Sequence, residues 1–393
     1  MADFRGAVIV NTFLGGSLKN AHFDGLDFGK LKKESNGLGG DFSGSTFSNA
    51  NFSGVAIGYN ANFSNAYLAR VPFVNASINA AKFLGANLSL ADFSNAILFE
   101  VDFSNATLTG ATFFGIDSGN ARAGTDATGR LPSRGNTAVE PKLNFTGANL
   151  VDTNFVRAYL YKQRFVNTNL TRVKFNGANL LQSNFSMTNL TGASFVNSDL
   201  SESRLTSVNA EKAKFDSAQM RVITIKDSNF KQASILNVDL SHSLIQNSSL
   251  YQANLQRSVF QGVMFDSPDL RMANFQAADL SGSLITPPTQ LSGANFTSAK
   301  FGVHSCYDNV YKWNDPFNLT CPQGFFRPLN LRSVNFRNTN FTDSFLQDSD
   351  YRNSNLSGSN LDFSYVNGGQ VQDEEVHGYK LSGSILPDGT LHP

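Results

Sequence analysis

The chain has 393 residues and a mass of 42.6 kDa, and its 31 basic and 31 acidic residues leave no formal net charge. Charged residues make up only 16%, while Phe alone occurs 35 times. This composition excludes a charge-dominated nucleic-acid binder, a disordered chain and a disulfide-rich secreted scaffold. No apolar run is long enough for a transmembrane helix, and the first residues lack the pattern of a secretory signal.

Large apolar residues recur at every fifth position in the N-terminal third of the chain. The longest run occupies 63–113, and shorter runs occupy 13–28 and 42–57. We therefore predict an N-terminal repeat segment over 1–113. The basic, glycine-rich break at 29–41 is predicted to be a surface loop.

The period stops over 114–142, a stretch rich in Gly, Thr, Arg and Ala. Its fragment 124–130 is superficially like a phosphate-binding loop, but it lacks the Gly-Lys-(Ser/Thr) ending and no helix is expected after it. We therefore predict a loop insertion here, acting as a linker or docking loop between two repeat segments.

The main repeat segment is predicted over 143–301. From Phe145 to Ile285 every fifth residue is large and apolar, with Ala210 as the exception. The residue two positions before each of these centres is mostly Ala, Ser, Thr or Val, and the residue immediately before is often Asn or Asp. The frame then shifts by one residue to Leu291, which predicts a bend or a bulge.

A second insertion is predicted over 302–330, where the period stops again and the composition becomes rich in aromatic residues. The period resumes over 331–366, which we assign to C-terminal repeats. The tail, 367–393, contains an acidic run at 373–375 and is predicted to cap the last coil.

A period of five fits neither a helix nor a flat strand. A helix would spread the apolar residues around its surface, and a strand would place alternate ones on opposite faces. A chain that turns a corner every five residues keeps them all inside, and four corners close a coil of 20 residues. The sequence thus predicts an all-β, four-sided parallel β-helix of about 15 coils. Two ladders of stacked rings are expected: Phe63, Phe83 and Phe103 in one, and Phe73, Phe93 and Phe113 in the opposite one.

Several quintets resemble the repeat of the pentapeptide-repeat family, whose consensus is Ala-(Asp/Asn)-Leu-X-X with Phe allowed at the centre. Clear examples are Ala91-Asp92-Phe93, Ala148-Asn149-Leu150, Ala273-Asn274-Phe275 and Ala278-Asp279-Leu280. The resemblance implies a right-handed, four-sided β-helix that forms a stiff rod. It implies little about function, because members of the family serve many roles.

The second insertion also resembles a loop of some family members, many of them from cyanobacteria. Tyr307-Asp308, Trp313 and Gly324-Phe325 carry this resemblance, although the Pro that usually follows Trp stands at Pro316. Aromatic residues in such a loop either pack onto the solenoid as a lid or anchor a partner, and both interpretations stay open. The candidate partner contacts are Tyr307, Tyr311, Trp313 and Phe317.

Cys306 and Cys321 lie in the same insertion. They are a candidate disulfide in an oxidising compartment, but reduced thiols are the default expectation without a secretory signal. Together with His304 they fall short of a zinc-binding set. The Ser, Asp and His residues show no catalytic arrangement, so the sequence predicts no enzyme, no metal and no cofactor.

Three functions compete. The first is a non-enzymatic scaffold or linker, a β-helical rod that mediates protein–protein interactions within a larger assembly. The second is a DNA mimic that binds a type II topoisomerase, which needs a strongly negative surface and is disfavoured by the neutral charge. The third is an enzyme or ligand-binding site housed in the insertions.

The scaffold is the predicted function. The resemblance suggests a cyanobacterial photosynthetic or antenna complex, of the phycobilisome type, as its setting. We expect protein partners, no nucleic acid and no transmembrane segment. The expected location is the cytoplasm, with the periphery of a membrane-associated complex as an alternative, and the oligomeric state stays open.

Overall fold

The computed structural model describes residues 2–7, 18–30, 38–58, 61–118, 143–286, 288–301, 332–339, 351–357 and 390–391. The chain divides into two compact units, Met1–Lys214 and Phe215–Pro393. Each unit is built from β-coils, and each is described by itself below.

The described part of the first unit contains a short 3-10 helix, Phe28–Lys30, and four short strands. These strands are β1 (Ala56–Ile57), β2 (Ser77–Asn79), β3 (Ile97–Phe99) and β4 (Arg204–Thr206). The first three form a parallel sheet in the order β1-β2-β3. Ile78 lies opposite Leu98, so neighbouring strands are one predicted coil apart in sequence.

The second unit repeats this arrangement with β5 (Thr224–Lys226), β6 (Leu244–Gln246), β7 (Met264–Asp266) and β8 (Leu284–Thr286). These four strands pair in parallel in chain order. The apolar centre of each strand points inward, and the residues on either side of it point outward.

The other faces of each coil are held by isolated parallel bridges. One coil shows all four of its faces through the pairs Lys82–Asp102, Asn87–Thr107, Asp92–Thr112 and Ile97–Asp117. Every pair joins residues one coil apart, and successive pairs advance by one quintet. The prediction of a four-sided parallel β-solenoid with 20-residue coils is therefore confirmed.

The corners are β-turns with a left-handed residue in the third position. In the turn 63–66, the N–H of Ala66 donates to the carbonyl of Phe63 at 3.0 Å, and Asn65 has a φ of 57°. A type II turn requires this positive φ, which Asn and Gly tolerate best. The N–H of Asn65 donates to Leu84 in the next coil at 2.8 Å, so the corner is held by the neighbouring coil as well.

The preference for Asn or Asp immediately before each centre also has a structural cause. The side-chain oxygen of Asn62 accepts a hydrogen bond from the N–H of Ser64 at 3.1 Å, and Asp92 does the same for Ser94 at 2.8 Å. Each of these bonds pairs a backbone N–H group that the turn itself leaves without a hydrogen-bond acceptor. The repeated Asn and Asp residues are thus explained by the backbone, without any chemistry of their own.

Stacked phenylalanine rings fill the interior of the first unit. The ring centroids of Phe63 and Phe83 are 5.1 Å apart, and those of Phe83 and Phe103 are 5.3 Å apart. In the opposite ladder, Phe73 and Phe93 are 4.6 Å apart. Rings of the two ladders meet edge to face, so the interior is closed by aromatic contacts in both favoured geometries. Both predicted ladders are confirmed.

Small polar residues two positions before the centre reinforce the stacking. The hydroxyl of Ser203 donates to the carbonyl of Leu180 at 2.9 Å and accepts from the N–H of Ser183 at 3.0 Å. Ser and Thr therefore fit this narrow slot as well as Ala does, because their hydroxyls pair with backbone groups of the preceding coil.

Neither long insertion interrupts the stacking of the coils that flank it. Across the first, the N–H of Phe103 donates to Asn144 at 2.8 Å. Across the second, the N–H of Phe296 donates to Asn335 at 2.7 Å. The coil before the first insertion extends through Ser118, one quintet beyond the boundary predicted at 113.

The extra residue that shifts the frame near residue 287 is absorbed locally. Asp269 bridges to Gln290, and the N–H of Leu270 donates to the carbonyl of Gln290 at 2.8 Å. The N–H of Thr289 turns back to the carbonyl of Thr286 at 3.2 Å. The ladder of this face therefore continues past the insertion of one residue.

Ser118 occupies a centre position where its neighbours one coil away, Leu98 and Leu160, are large and apolar. Its side chain is fully buried, and its hydroxyl oxygen has no hydrogen-bond partner. Because an unpaired buried hydroxyl costs free energy, Ser118→Ala is expected to raise the free energy of unfolding by about 1 kcal/mol. Urea denaturation followed by circular dichroism measures this change, and a loss of stability would show that the hydroxyl is hydrogen-bonded after all.

Candidate protein-interaction surfaces

The aromatic candidates Tyr307, Tyr311, Trp313 and Phe317 lie in 302–330, outside the described residues. Cys306 and Cys321 lie there too. Their roles as partner contacts and as a candidate disulfide therefore stay predictions.

The described Ser and Asp residues are close together because of the repeat. The hydroxyls of Ser94 and Ser104 donate to Asp92 and Asp102, two residues earlier in the same quintet. Within the described ranges, no three His, Cys, Asp or Glu side chains form a group suited to a metal ion. In the same ranges, no helix has the length and apolar character needed to cross a bilayer.

The outward side chains of successive coils form straight columns, because each coil lies one strand spacing of about 4.8 Å from the next. In the second unit, one such column is apolar: Leu244, Met264 and Leu284. The structure places them on the outer face of β6, β7 and β8, where Leu284 is 39% exposed. We call these three residues the apolar column.

The apolar column was not predicted from the sequence, although a signal was present. Its residues stand immediately before the centres Ile245, Phe265 and Ile285, in the slot that Asn or Asp usually occupies. An apolar side chain in that slot points outward and cannot accept the hydrogen bond that Asn or Asp accepts from an N–H group of the turn. Three in register therefore indicate a surface under a different constraint.

Polar residues border the apolar column on one side. Gln246 donates to Asp266 at 2.6 Å within the column formed by the residues after the centres. On the other side, the corner residues beside Met264 and Leu284 are Gly262 and Gly282, both with positive φ. The His242 ring lies against the Gly262 corner, where a Cβ would meet its Nδ1 at 2.9 Å. His242 therefore borders the apolar column on this side.

Tyr251 lies between two cations on another face of the second unit. The Lys231 ammonium is 5.8 Å from the ring centroid and the Arg271 guanidinium 5.7 Å. Arg271 also binds both oxygens of Asp269, at 2.8 and 2.9 Å. These hydrogen bonds hold the pKa of the Asp269 carboxyl below its ordinary value, so the charge of Arg271 is neutralised at neutral pH.

The described residues thus define a class of protein: a parallel β-solenoid of five-residue repeats whose interior is filled and whose outward columns are its available surfaces. Family comparison agrees with this class. A "pentapeptide repeat region" profile matches residues 142–215 and 168–245. A "pentapeptide repeats (8 copies)" profile matches 59–95, 81–113, 244–282 and 330–367.

Together these matches cover more than half of the chain, and the protein belongs to the pentapeptide repeat family. Folds of this family mediate protein interactions. Comparison with curated proteins by sequence gave no match.

Several solved structures are similar to the chain. Trypsin-treated QnrB1, a plasmid-mediated fluoroquinolone resistance protein, is 16% identical, with a TM-score of 0.29, over 60% of this chain and 89% of that chain. HetL from the cyanobacterium Nostoc, involved in heterocyst differentiation regulation, is 16% identical, with a TM-score of 0.17, over 98% and 94%. Rfr23 from the cyanobacterium Cyanothece is 17% identical, with a TM-score of 0.20, over 35% and 86%.

Proposed function

We propose that this protein is a non-enzymatic scaffold that binds a protein partner through its outward side-chain columns. The apolar column, Leu244, Met264 and Leu284, is the observation that supports this function best. Its residues are held in register by parallel strand pairing, so a partner would meet a surface that is already ordered. Preorganisation of this kind lowers the entropic cost of association.

The filled interior supports a function located on the outside. The inward centres of the described coils are almost completely buried, and stacked rings occupy the space between the faces of the first unit. A substrate would therefore find no channel along the axis of the described coils. This favours a scaffold over the enzyme or ligand-binding alternative.

The finer parts of the proposal rest on the sequence resemblance. They are a place in a large assembly, such as a cyanobacterial photosynthetic or phycobilisome-type antenna complex, and a cytoplasmic location. A second partner contact through Tyr307, Tyr311, Trp313 and Phe317 belongs to the same proposal. The division of the chain into repeat segments separated by the insertions 114–142 and 302–330 is also part of this proposal.

The alternative of a topoisomerase-binding DNA mimic is less well supported. Such a mimic needs a dense row of negative charge. Over 143–214 the chain carries more Lys and Arg than Asp and Glu, so the coils of this stretch present the opposite sign.

Met264→Lys is expected to weaken partner binding by at least about tenfold, because it places a charge in the centre of the apolar column. The partner is identified by affinity capture from the source cell with quantitative mass spectrometry, and its affinity for the purified chain is then measured by calorimetry. Met187→Lys is the matched control, since Met187 is an exposed methionine, 59% accessible, at a corner of the first unit. Equal binding by the Met264 variant and the wild type would contradict the proposal.

A further inference from the structure

One face of the first unit carries two parallel columns of outward side chains that differ in chemistry. The first column is joined by the bridges Asn154–Lys174, Lys174–Ser194 and Ser194–Lys214. The second contains Phe114, Val156, Asn176 and Val196, which follow the buried centres of the same face. We call this surface the Lys174 face.

The first column is basic. Lys174 and Lys214 are exposed, and Arg157 is exposed at the adjoining corner. None of these three cations forms an ion pair with a described carboxylate. Between Asn154 and Lys214 the outward residues of this face include no Asp or Glu. The first carboxylate after Lys214 in the chain is Asp216, which belongs to the second unit and accepts hydrogen bonds from the Ser234 hydroxyl and the Leu236 N–H.

At the nearest corner, by contrast, a cation is paired with a carboxylate. Arg172 binds both oxygens of Asp152, at 2.8 and 2.7 Å. These hydrogen bonds hold the pKa of the Asp152 carboxyl below its ordinary value. Asp152 thus pairs with Arg172, and Lys174 interacts with Asp152 only at longer range, without an ion pair. The ammonium groups of Lys174 and Lys214 therefore keep the capacity to pair with an anionic group from outside.

The second column is mainly apolar. Phe114, Val156 and Val196 point outward and are only half-buried. Backbone hydrogen bonds hold them in register, from Gly115 to Val156 at 3.0 Å and from Gly177 to Val196 at 2.9 Å. Each residue of the second column begins the corner turn directly after a buried centre, and each residue of the first column directly precedes the same centre. The valine-containing and basic columns therefore run side by side along the face.

We propose that the Lys174 face binds an acidic amphipathic segment of a partner protein. Carboxylates of such a segment would pair with Lys174 and Lys214, and its apolar side chains would cover Val156 and Val196. Charge complementarity gives the association its specificity and its rate, and burial of Val156 and Val196 adds affinity. This inference rests on the proposed scaffold function and names the class of partner.

A helix fits these columns well. Lys174 and Lys214 are two coils apart, or about 9.6 Å along the solenoid axis. Acidic residues seven positions apart on an α-helix are separated by about 10.5 Å, so one helix parallel to the axis reaches both lysines. Nucleic acid fits less well, because a phosphate backbone makes no use of a valine column.

Fluorescence anisotropy with a labelled peptide tests the proposal. The probe is a helix of about 18 residues, with Glu on one side, Leu on the adjacent side and Ala elsewhere. We expect micromolar binding that weakens as salt is added, and a loss of about tenfold or more in the double variant Lys174→Glu/Lys214→Glu. Val156→Ser/Val196→Ser is expected to weaken binding severalfold without this change in charge.

The matched control is Arg164→Glu/Arg204→Glu, which makes the same change in net charge on a different face of the first unit. It is expected to bind the peptide within about threefold of the wild type. All four substituted positions in the two charge variants are exposed, and thermal melting by circular dichroism verifies that each variant folds.

Several outcomes would overturn the inference. Equal losses in both charge variants would show that net charge alone attracts the peptide. Binding of a single-stranded oligonucleotide that ignores the valine substitutions would assign the face to a polyanion. A dimer abolished by Lys174→Glu would assign it to a second copy of the chain. Absence of peptide binding, while the captured partner still depends on Met264, would refute this inference and leave the proposed function standing.

Discussion

Phe93→Ala is expected to lower the free energy of unfolding by about 3–5 kcal/mol. The Phe93 ring is completely buried. It stacks on Phe73 at 4.6 Å and on Phe113 at 4.8 Å, and it meets Phe103 edge to face at 5.6 Å. Its loss would leave a cavity in the middle of a ladder whose neighbours are fixed by backbone pairing. Urea denaturation followed by circular dichroism measures the change.

Phe99→Ala is the matched control for this substitution. Phe99 ends β3 and points outward, where it is only partly buried. The same change of side chain is expected to cost less than about 1 kcal/mol there, because little apolar area is buried and no cavity forms. Similar losses at Phe93 and Phe99 would show that the interior of the coil is not where the ladders place it.

Asn75→Pro is expected to cost about 3 kcal/mol or more. Asn75 has a φ of 57°, whereas the proline ring restricts φ to about −65°. The substitution also removes the N–H that donates to Ser94 in the next coil at 2.9 Å. The substitution therefore disrupts the left-handed turn and removes the hydrogen bond to the next coil, and the melting temperature is expected to fall.

Asn75→Gly separates the conformational requirement from the loss of a side chain. Glycine adopts positive φ without strain and keeps the N–H, so this variant is expected to stay within about 1 kcal/mol of the wild type. Thermal melts of the wild type and both variants make the comparison. If proline were tolerated as well as glycine, Asn75 would not sit at a left-handed corner.

The fold was predictable because a single constraint governs most of the chain. A large side chain every fifth residue, as at Phe63 and Phe83, fits the interior only if the backbone turns at every quintet. Four corners of five residues predict a coil of 20, the recurrence of Phe at 20-residue intervals agrees with that length, and the structure pairs those rings. The structure explains the Asn and Asp residues before the centres by the same corner, since Asn62 and Asp92 accept hydrogen bonds from N–H groups of the turn.

The exceptions were harder to foresee. Ser118 is a buried centre, yet a rule based on large apolar residues ends the segment at 113, since a serine carries no apolar signal. The boundary therefore lay one quintet too early in the sequence interpretation. The coils before and after each insertion are nevertheless bonded to one another, as the hydrogen bonds from Phe103 to Asn144 and from Phe296 to Asn335 show.

The surfaces were missed for a different reason. The period directs attention to the centres, whereas partners meet the residues beside them. Met264 and Lys174 look ordinary as single residues in the sequence. They become informative only when strand pairing aligns each with its neighbours one coil away. The aromatic residues of the second insertion, led by Trp313, drew attention by composition alone, and their role stays a prediction.

Disulfide trapping tests the 20-residue coil most directly. In a chain carrying Cys306→Ser and Cys321→Ser, the pair Asn87→Cys and Thr107→Cys should cross-link readily under mild oxidation, because these positions are bridged between adjacent coils and so lie within reach of a disulfide. The pair Asn87→Cys and Asp92→Cys, on neighbouring faces of one coil, should not. Rapid cross-linking of the first pair alone is the expected result. The reverse, or cross-linking of neither pair in the folded protein, would contradict the solenoid.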